Sequence, residues 1–106
     1  MVRPKRTKPD GNQAEIVADL RKFDWVRYVL DVHNLAGTVD IIVFGDKVIL
    51  SDIHDWIKYV VPCGLAVEIK KDDAPLTGEE PKLMEQLGKC GIVARNTDDI
   101  RRWFGQ

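Results

Sequence analysis

Three residues in this chain have types and spacings that could do chemistry: Asp40 inside TVDIIVF, and Glu68 and Lys70 inside LAVEIKK. Residues i and i+2 of a strand point to one face, so Glu68 and Lys70 project together while Val67 and Ile69 face the other way. If the strand carrying Asp40 pairs with the strand carrying Glu68, the two carboxylates stand side by side. Such carboxylates repel, and a divalent cation between them removes the penalty. Hard oxygen donors select Mg2+ or Mn2+. The backbone carbonyl of Ile69 could add a ligand. Lys70 beside the cation could orient an attacking water or stabilise charge on a phosphate, which is the equipment for metal-assisted phosphodiester hydrolysis. The plainer alternative is a cross-strand Glu68–Lys70 ion pair on an exposed face, which needs no function.

Those residues must be positioned by elements the chain also announces. Ile16, Leu20 and Phe23, with Val17 beside them, form one helical face and predict a helix over 13–24. Asn12 suits its N-cap, with Glu15 three residues later in a capping-box position. The β-branched and aromatic run WVRYVLDVH predicts a strand over 25–33, and the almost wholly apolar TVDIIVFG a central strand over 38–45. KVIL reads as a short strand. In SDIHDWIKYV, Ile53, Trp56, Ile57 and Val60 recur at helical spacing after Ser51, predicting a short inserted helix that Pro62 and Gly64 end. LAVEIKK is the next strand. DDAPLTGEE is a loop, and PKLMEQLGK a helix with Leu83, Met84 and Leu87 inward. CGIVARN is a strand. TDDIRRWFG is a last helix, capped by Thr97 and with its charges ordered to suit the helix dipole. The expected fold class is α/β: a mixed four-stranded sheet flanked by helices, three strands in an antiparallel meander and the fourth joined in parallel through a crossover helix.

A length of 106 residues holds one domain and one core. Residues 1–11 carry Arg3, Lys5, Arg6 and Lys8 without periodicity and read as a basic arm before a domain over 12–106. Such an arm either contacts phosphates or serves only as a solubilising tail. The net charge of -1 gives no global electrostatic signal for nucleic acid. Cys63 and Cys90 make no disulfide framework, and with His33 and His54 they lack the paired spacings of a zinc site. No apolar run precedes Ile16 and none approaches ~20 residues, so neither a secretory signal nor a membrane span is expected. A reducing intracellular, cytoplasmic setting follows as the default.

The series QAEIVADL (13–20), GTVDIIVFG (37–45), VEIKK (67–71) and LTGEE (76–80), closed by IVARNTDDIRRW (92–103), resembles the PD-(D/E)XK nuclease superfamily. It is most similar to small stand-alone VRR-NUC and Holliday-junction-resolvase-like proteins of phage type, over residues 12–104. The resemblance implies a restriction-endonuclease-like αβββαβ core and Mg2+-dependent cleavage of branched DNA by a homodimer, with no nucleotide cofactor. It makes Asp40, Glu68 and Lys70 the catalytic set. It adds Glu15 as a helix carboxylate reaching the metal, Gln13 as a neighbouring polar contact and Lys71 as a phosphate contact. Two positions depart from the pattern: Val39 stands where a proline is usual before the Asp, and Glu80 where a Gln is frequent. The segment between Asp40 and Glu68 is also long, and could cap the site, contact DNA or form a dimer interface. Its Trp56 and Tyr59 could stack on bases, although core or interface is the commoner use of such aromatics. A module that keeps the fold and binds DNA or protein without turnover is the alternative.

Overall fold

Gln13, Ile16, Val17 and Leu20 fall at i, i+3, i+4 and i+7, and all four are buried. That stripe forms helix α1 (Gln13–Leu20) and presses it onto a sheet. The computed structural model describes residues 12–33, 35, 37–50 and 58–106. Its further elements are β1 (Val26–Asp31), β2 (Ile41–Leu50), β3 (Lys58–Ile69), α2 (Glu80–Leu87), β4 (Gly91–Ala94) and α3 (Thr97–Trp103). A 3-10 turn over Gly88–Cys90 leads into β4.

The sheet order is β1-β2-β3-β4. The first three strands are antiparallel neighbours, and β4 joins β3 in parallel. Period-two alternation then sorts the faces. Ile41 and Val43 on β2 pair with Val67 and Leu65 on β3. With Ile69, Ala94 and Val29 they meet Ile16, Leu20, Ile100 and Phe104 in one core. So α1 and α3 cover this face. On the other face α2 covers only the β3–β4 side, where Met84 and Leu87 lie within 3.2 Å of the place a Gly91 Cβ would occupy. The β1–β2 part of that face is left open, with Tyr28 and Phe44 exposed and their rings 6.5 Å apart.

Gly45 shows how tightly the core closes. A Cβ there would stand 2.9 Å from the Trp25 carbonyl and 3.3 Å from the Phe104 ring. Its absence lets Trp25 pack between Phe23, on which it stacks, and the tilted ring of Phe104, at centroid distances of 5.2 and 5.1 Å.

Several expected boundaries move. Helix α1 stops at Leu20, and 21–24 are turn and loop. The expected strand over 38–45 instead runs from Ile41 to Leu50 and absorbs KVIL. The inserted helix is corrected where it can be seen: Lys58, Tyr59 and Val60 belong to β3, and the rest of it, 51–57, lies outside the described residues. Val48 pairs with Val60 and Ile49 with Tyr59, and such β-branched and aromatic cross-strand pairs outweigh an accidental helical spacing. Pro62 and Gly64 do not stop the strand. Only β2 flanks β3 there, since β4 pairs no earlier than Ala66, and an edge tolerates a residue without an N–H. Asn96, not Thr97, caps α3, its side chain accepting from the Asp99 N–H at 3.0 Å.

Candidate functional site

Five chain segments converge at one end of the sheet: the end of β1, the start of β2, the end of β3, and the first residues of α1 and α2. The antiparallel ladder brings Asp40 there. Its N–H donates to the Val67 carbonyl at 3.1 Å, its carbonyl accepts from Val32, and its Oδ2 accepts from the Ile69 N–H at 2.8 Å. The carboxylate thus prolongs the β2–β3 ladder by one side-chain bond. Asp40 is fully buried, as is Glu68 next to it on β3.

Glu68 carries the strongest signal. Both its carboxyl oxygens are buried with no hydrogen-bond partner. The groups beside it are the carboxyls of Glu80 and Asp40, which bond to it only through a shared proton. Burial, together with Glu80 and Asp40, pushes the Glu68 carboxyl up to about 9. At neutral pH the Glu68 carboxyl therefore keeps its proton.

Lys70 is fixed from three directions. Its N–H donates to the Ala94 carbonyl at 3.1 Å and its carbonyl accepts from Asn12 Nδ2 at 3.4 Å. Its Nζ lies 2.8 Å from Glu80 Oε1, with both side chains largely buried. Glu80 Oε1 also accepts from the Thr77 N–H at 2.7 Å and the Thr77 hydroxyl at 3.1 Å. This is the reach-back half of a capping box across Thr77-Gly78-Glu79-Glu80. Burial pushes the Glu80 carboxyl up, but Glu68, Lys70 and the Thr77 N–H together hold it down at about 2.

The fold brings Asp40, Glu68 and Lys70 together and adds Glu80. It does not bring Glu15 to them. That side chain is exposed and lines a separate cleft with Asp19, Arg95 and Thr97. The helix residue that turns inward is Gln13, which donates from Nε2 to Asp31 Oδ1 at 3.3 Å and keeps a buried Oε1 without a partner. The capping box expected at α1 is not formed. Asn12 makes no side-chain cap and instead donates to the Lys70 and Arg95 carbonyls, tying α1 to the ends of β3 and β4. The Ile69 side chain is core, and its N–H serves Asp40. Lys71 is exposed. Arg3, Lys5, Arg6 and Lys8 lie outside the described residues.

The inward role of Gln13 is written in its spacing with Ile16, Val17 and Leu20, a stripe that leaves Glu15 out. The role of Glu80 is announced by Thr77 three residues earlier, but its bond to Lys70 has no local mark.

Among the described residues, no three His, Cys, Asp or Glu side chains are arranged to hold a metal ion. Mg2+ is commonly bound through one or two carboxylates plus water and substrate phosphate, and Asp40 with the orphaned oxygens of Glu68 fits that smaller set. No helix among the described residues is long and apolar enough to cross a membrane. No family model matches the chain, and no curated protein or solved structure matches it.

Proposed function

We propose that Asp40, Glu68 and Lys70 form the centre of a divalent-cation-dependent DNA endonuclease, of the PD-(D/E)XK kind that the sequence resembles. The observation that carries this reading is the pair of Glu68 oxygens, buried beside two further carboxyls and bonded to them only through a shared proton. A buried carboxyl is costly to ionise unless positive charge stands beside it, and a cation can take the place of the shared proton. The element order and the parallel β3–β4 pair are compatible with an αβββαβ nuclease core.

Asp40 and Glu68 would hold the cation. When bound, it supplies charge against the developing negative charge on phosphate and a water that ionises more easily. Lys70 does the rest from the protein side. With one bond spent on Glu80, its ammonium keeps donors for a phosphate oxygen or the attacking water. Glu80 and Asn12 hold that ammonium and its backbone in place, so orientation is set before substrate arrives.

Branched DNA and a homodimer complete the reading. One chain offers one such site, and a symmetric junction needs two cuts. A second copy also suits the β2–β3 hairpin, whose Ile49, Leu50, Tyr59 and Val60 are 42%, 53%, 55% and 60% exposed.

Purified protein with Mn2+ should cut four-way junction, flap or duplex DNA, and Lys70→Ala should slow that cleavage by about 10²–10⁴-fold. No cleavage of any of the three, with no effect of the variant, overturns the reading. A non-catalytic binding module is favoured by one observation, that Glu80 already occupies the Lys70 ammonium. Calorimetry separates the two: the nuclease binds Mn2+ with a heat that Asp40→Asn abolishes.

A further inference from the structure

One face of the sheet joins the acid–lysine site to the open aromatic pair. Ile41 and Val67 pair across the ladder and both belong to the core, so alternation sets their neighbours Asp40 and Glu68 on the other face. Ile42 and Ala66 form the next row of that face, with Leu30 beside them on β1. Phe44 and Gly64 form the row after, with Tyr28 beside them. From Asp40 to Phe44 the strand advances by about 13 Å.

This strip is uncovered at its aromatic end. Tyr28 is 59% exposed and Phe44 41%. Gly64 gives the Phe44 ring its room: two ring atoms lie 3.2 and 3.4 Å from the place a Gly64 Cβ would occupy. At the charged end α2 borders the strip and brings Glu80 to Lys70.

Two chemistries therefore stand in line on one face, apolar rings and then a site for a cation and a phosphate. A polynucleotide matches both, since it carries flat apolar bases on an anionic chain. In a duplex the bases cover one another, so only unpaired bases can lie on these rings. A protein partner would match the rings and leave the charged end unexplained.

We propose that Tyr28 and Phe44 bind unpaired bases of the substrate strand, and so direct this site to DNA with a single-stranded segment beside the cut. This rests on the hydrolytic reading above. The rings hold the strand at a fixed distance from Asp40 and Glu68, which sets where along it the scissile phosphate lies.

A plain cross-strand pair, with Tyr28 and Phe44 serving only the sheet, predicts no choice between DNA forms. Metal-free protein separates binding from turnover, with fluorescence anisotropy of labelled oligothymidylate and of a blunt duplex as the readout. Oligothymidylate should bind more tightly than the duplex. Phe44→Leu and Tyr28→Leu should each weaken oligothymidylate binding by about 10–100-fold, while Phe44→Tyr, which keeps a ring, preserves it. Duplex binding should stay unchanged in all three, which also reports that they are folded. Equal loss on both DNAs, or no loss on either, overturns the proposal. So does a Phe44→Leu variant that loses self-association in sedimentation but still binds oligothymidylate, because the face is then a contact between copies. With Mn2+ the wild type should cut a flap faster than a blunt duplex, and Phe44→Leu should abolish that preference. Ring-dependent binding without cleavage removes the hydrolytic reading and leaves the base platform. Cleavage without ring-dependent preference removes the platform and leaves the hydrolytic reading.

Discussion

The two ends of this sheet invert the usual rule of burial. At one end Asp40, Glu68 and Glu80 are buried with Lys70 among them; at the other, along the β2–β3 hairpin, Ile49, Leu50, Tyr59 and Val60 are exposed. Charge inside and hydrocarbon outside both cost stability, and they do so in different ways. The charged end needs partners of fixed geometry, so each lost partner leaves another group stranded. The hairpin needs only something apolar to cover it, and no single contact there is decisive. On the proposed reading, chemistry belongs to the first arrangement and association to the second.

Glu80→Ala gives the largest test of this contrast. It strands Lys70 and the Thr77 N–H together, and chemical denaturation should show a loss of about 3 kcal/mol. A loss below about 0.5 kcal/mol would make the pair a surface ornament and dissolve the comparison. Gly45→Ala lies between the two ends and should cost about 1–3 kcal/mol through the clash with Trp25 and Phe104. The same loss at Gly64, where only the Phe44 ring is near, would mean that the core is no tighter than the open face.

Glu68→Gln runs the other way. Glu68 rises from an ordinary 4.5 to about 9 in the folded chain, so its contribution is complete below pH 4.5 and is lost as pH climbs through about 9. Glu80, lowered to about 2, contributes fully above pH 4.5 and loses that contribution only as pH falls through about 2. Between pH 5 and 9 the metal-free protein should therefore lose stability steadily. Glu68→Gln should flatten that slope and gain roughly 1–2 kcal/mol at pH 8, read from denaturation curves at several pH values. A slope unchanged in the variant would place the titration elsewhere. The smallest effects are expected on the hairpin. Tyr59→Ser and Val60→Thr should each stay within about 0.5 kcal/mol in dilute protein, while shifting sedimentation toward the monomer at high concentration. If they unfold the dilute chain instead, the hairpin is core and not an association surface.

Much of the charged end was readable in advance because it depends on period-two geometry. Alternation puts Glu68 and Lys70 on one face, Asp40 joins them on the expectation that its strand pairs with theirs, and Asp40 is indeed bonded to Val67 and Ile69 of β3. Gln13 was equally readable from its helical stripe, but likeness to a motif drew attention to Glu15. The hairpin was harder. Ile53, Trp56, Ile57 and Val60 satisfy a helical spacing, and nothing local records that Val60 will face Val48 across a ladder. Glu80 shows the same limit: Thr77 announces its cap, and only the folded chain brings it to Lys70.

The three tethers of Lys70 also bear on the order of folding. Strands β1, β2 and β3 follow one another and can zip from neighbouring contacts, carrying Asp40 to Ile69 as they do. Lys70 is different. It waits for Asn12 from the start of the domain, Glu80 from the crossover helix and Ala94 from the last strand. Contacts so far apart in sequence close late. A chain still emerging from the ribosome, or one clipped before β4, holds the acidic residues without a positioned lysine. On the proposed reading, competence at this end is thus a certificate of completed synthesis, withheld until Asn12, Glu80 and Ala94 have all docked.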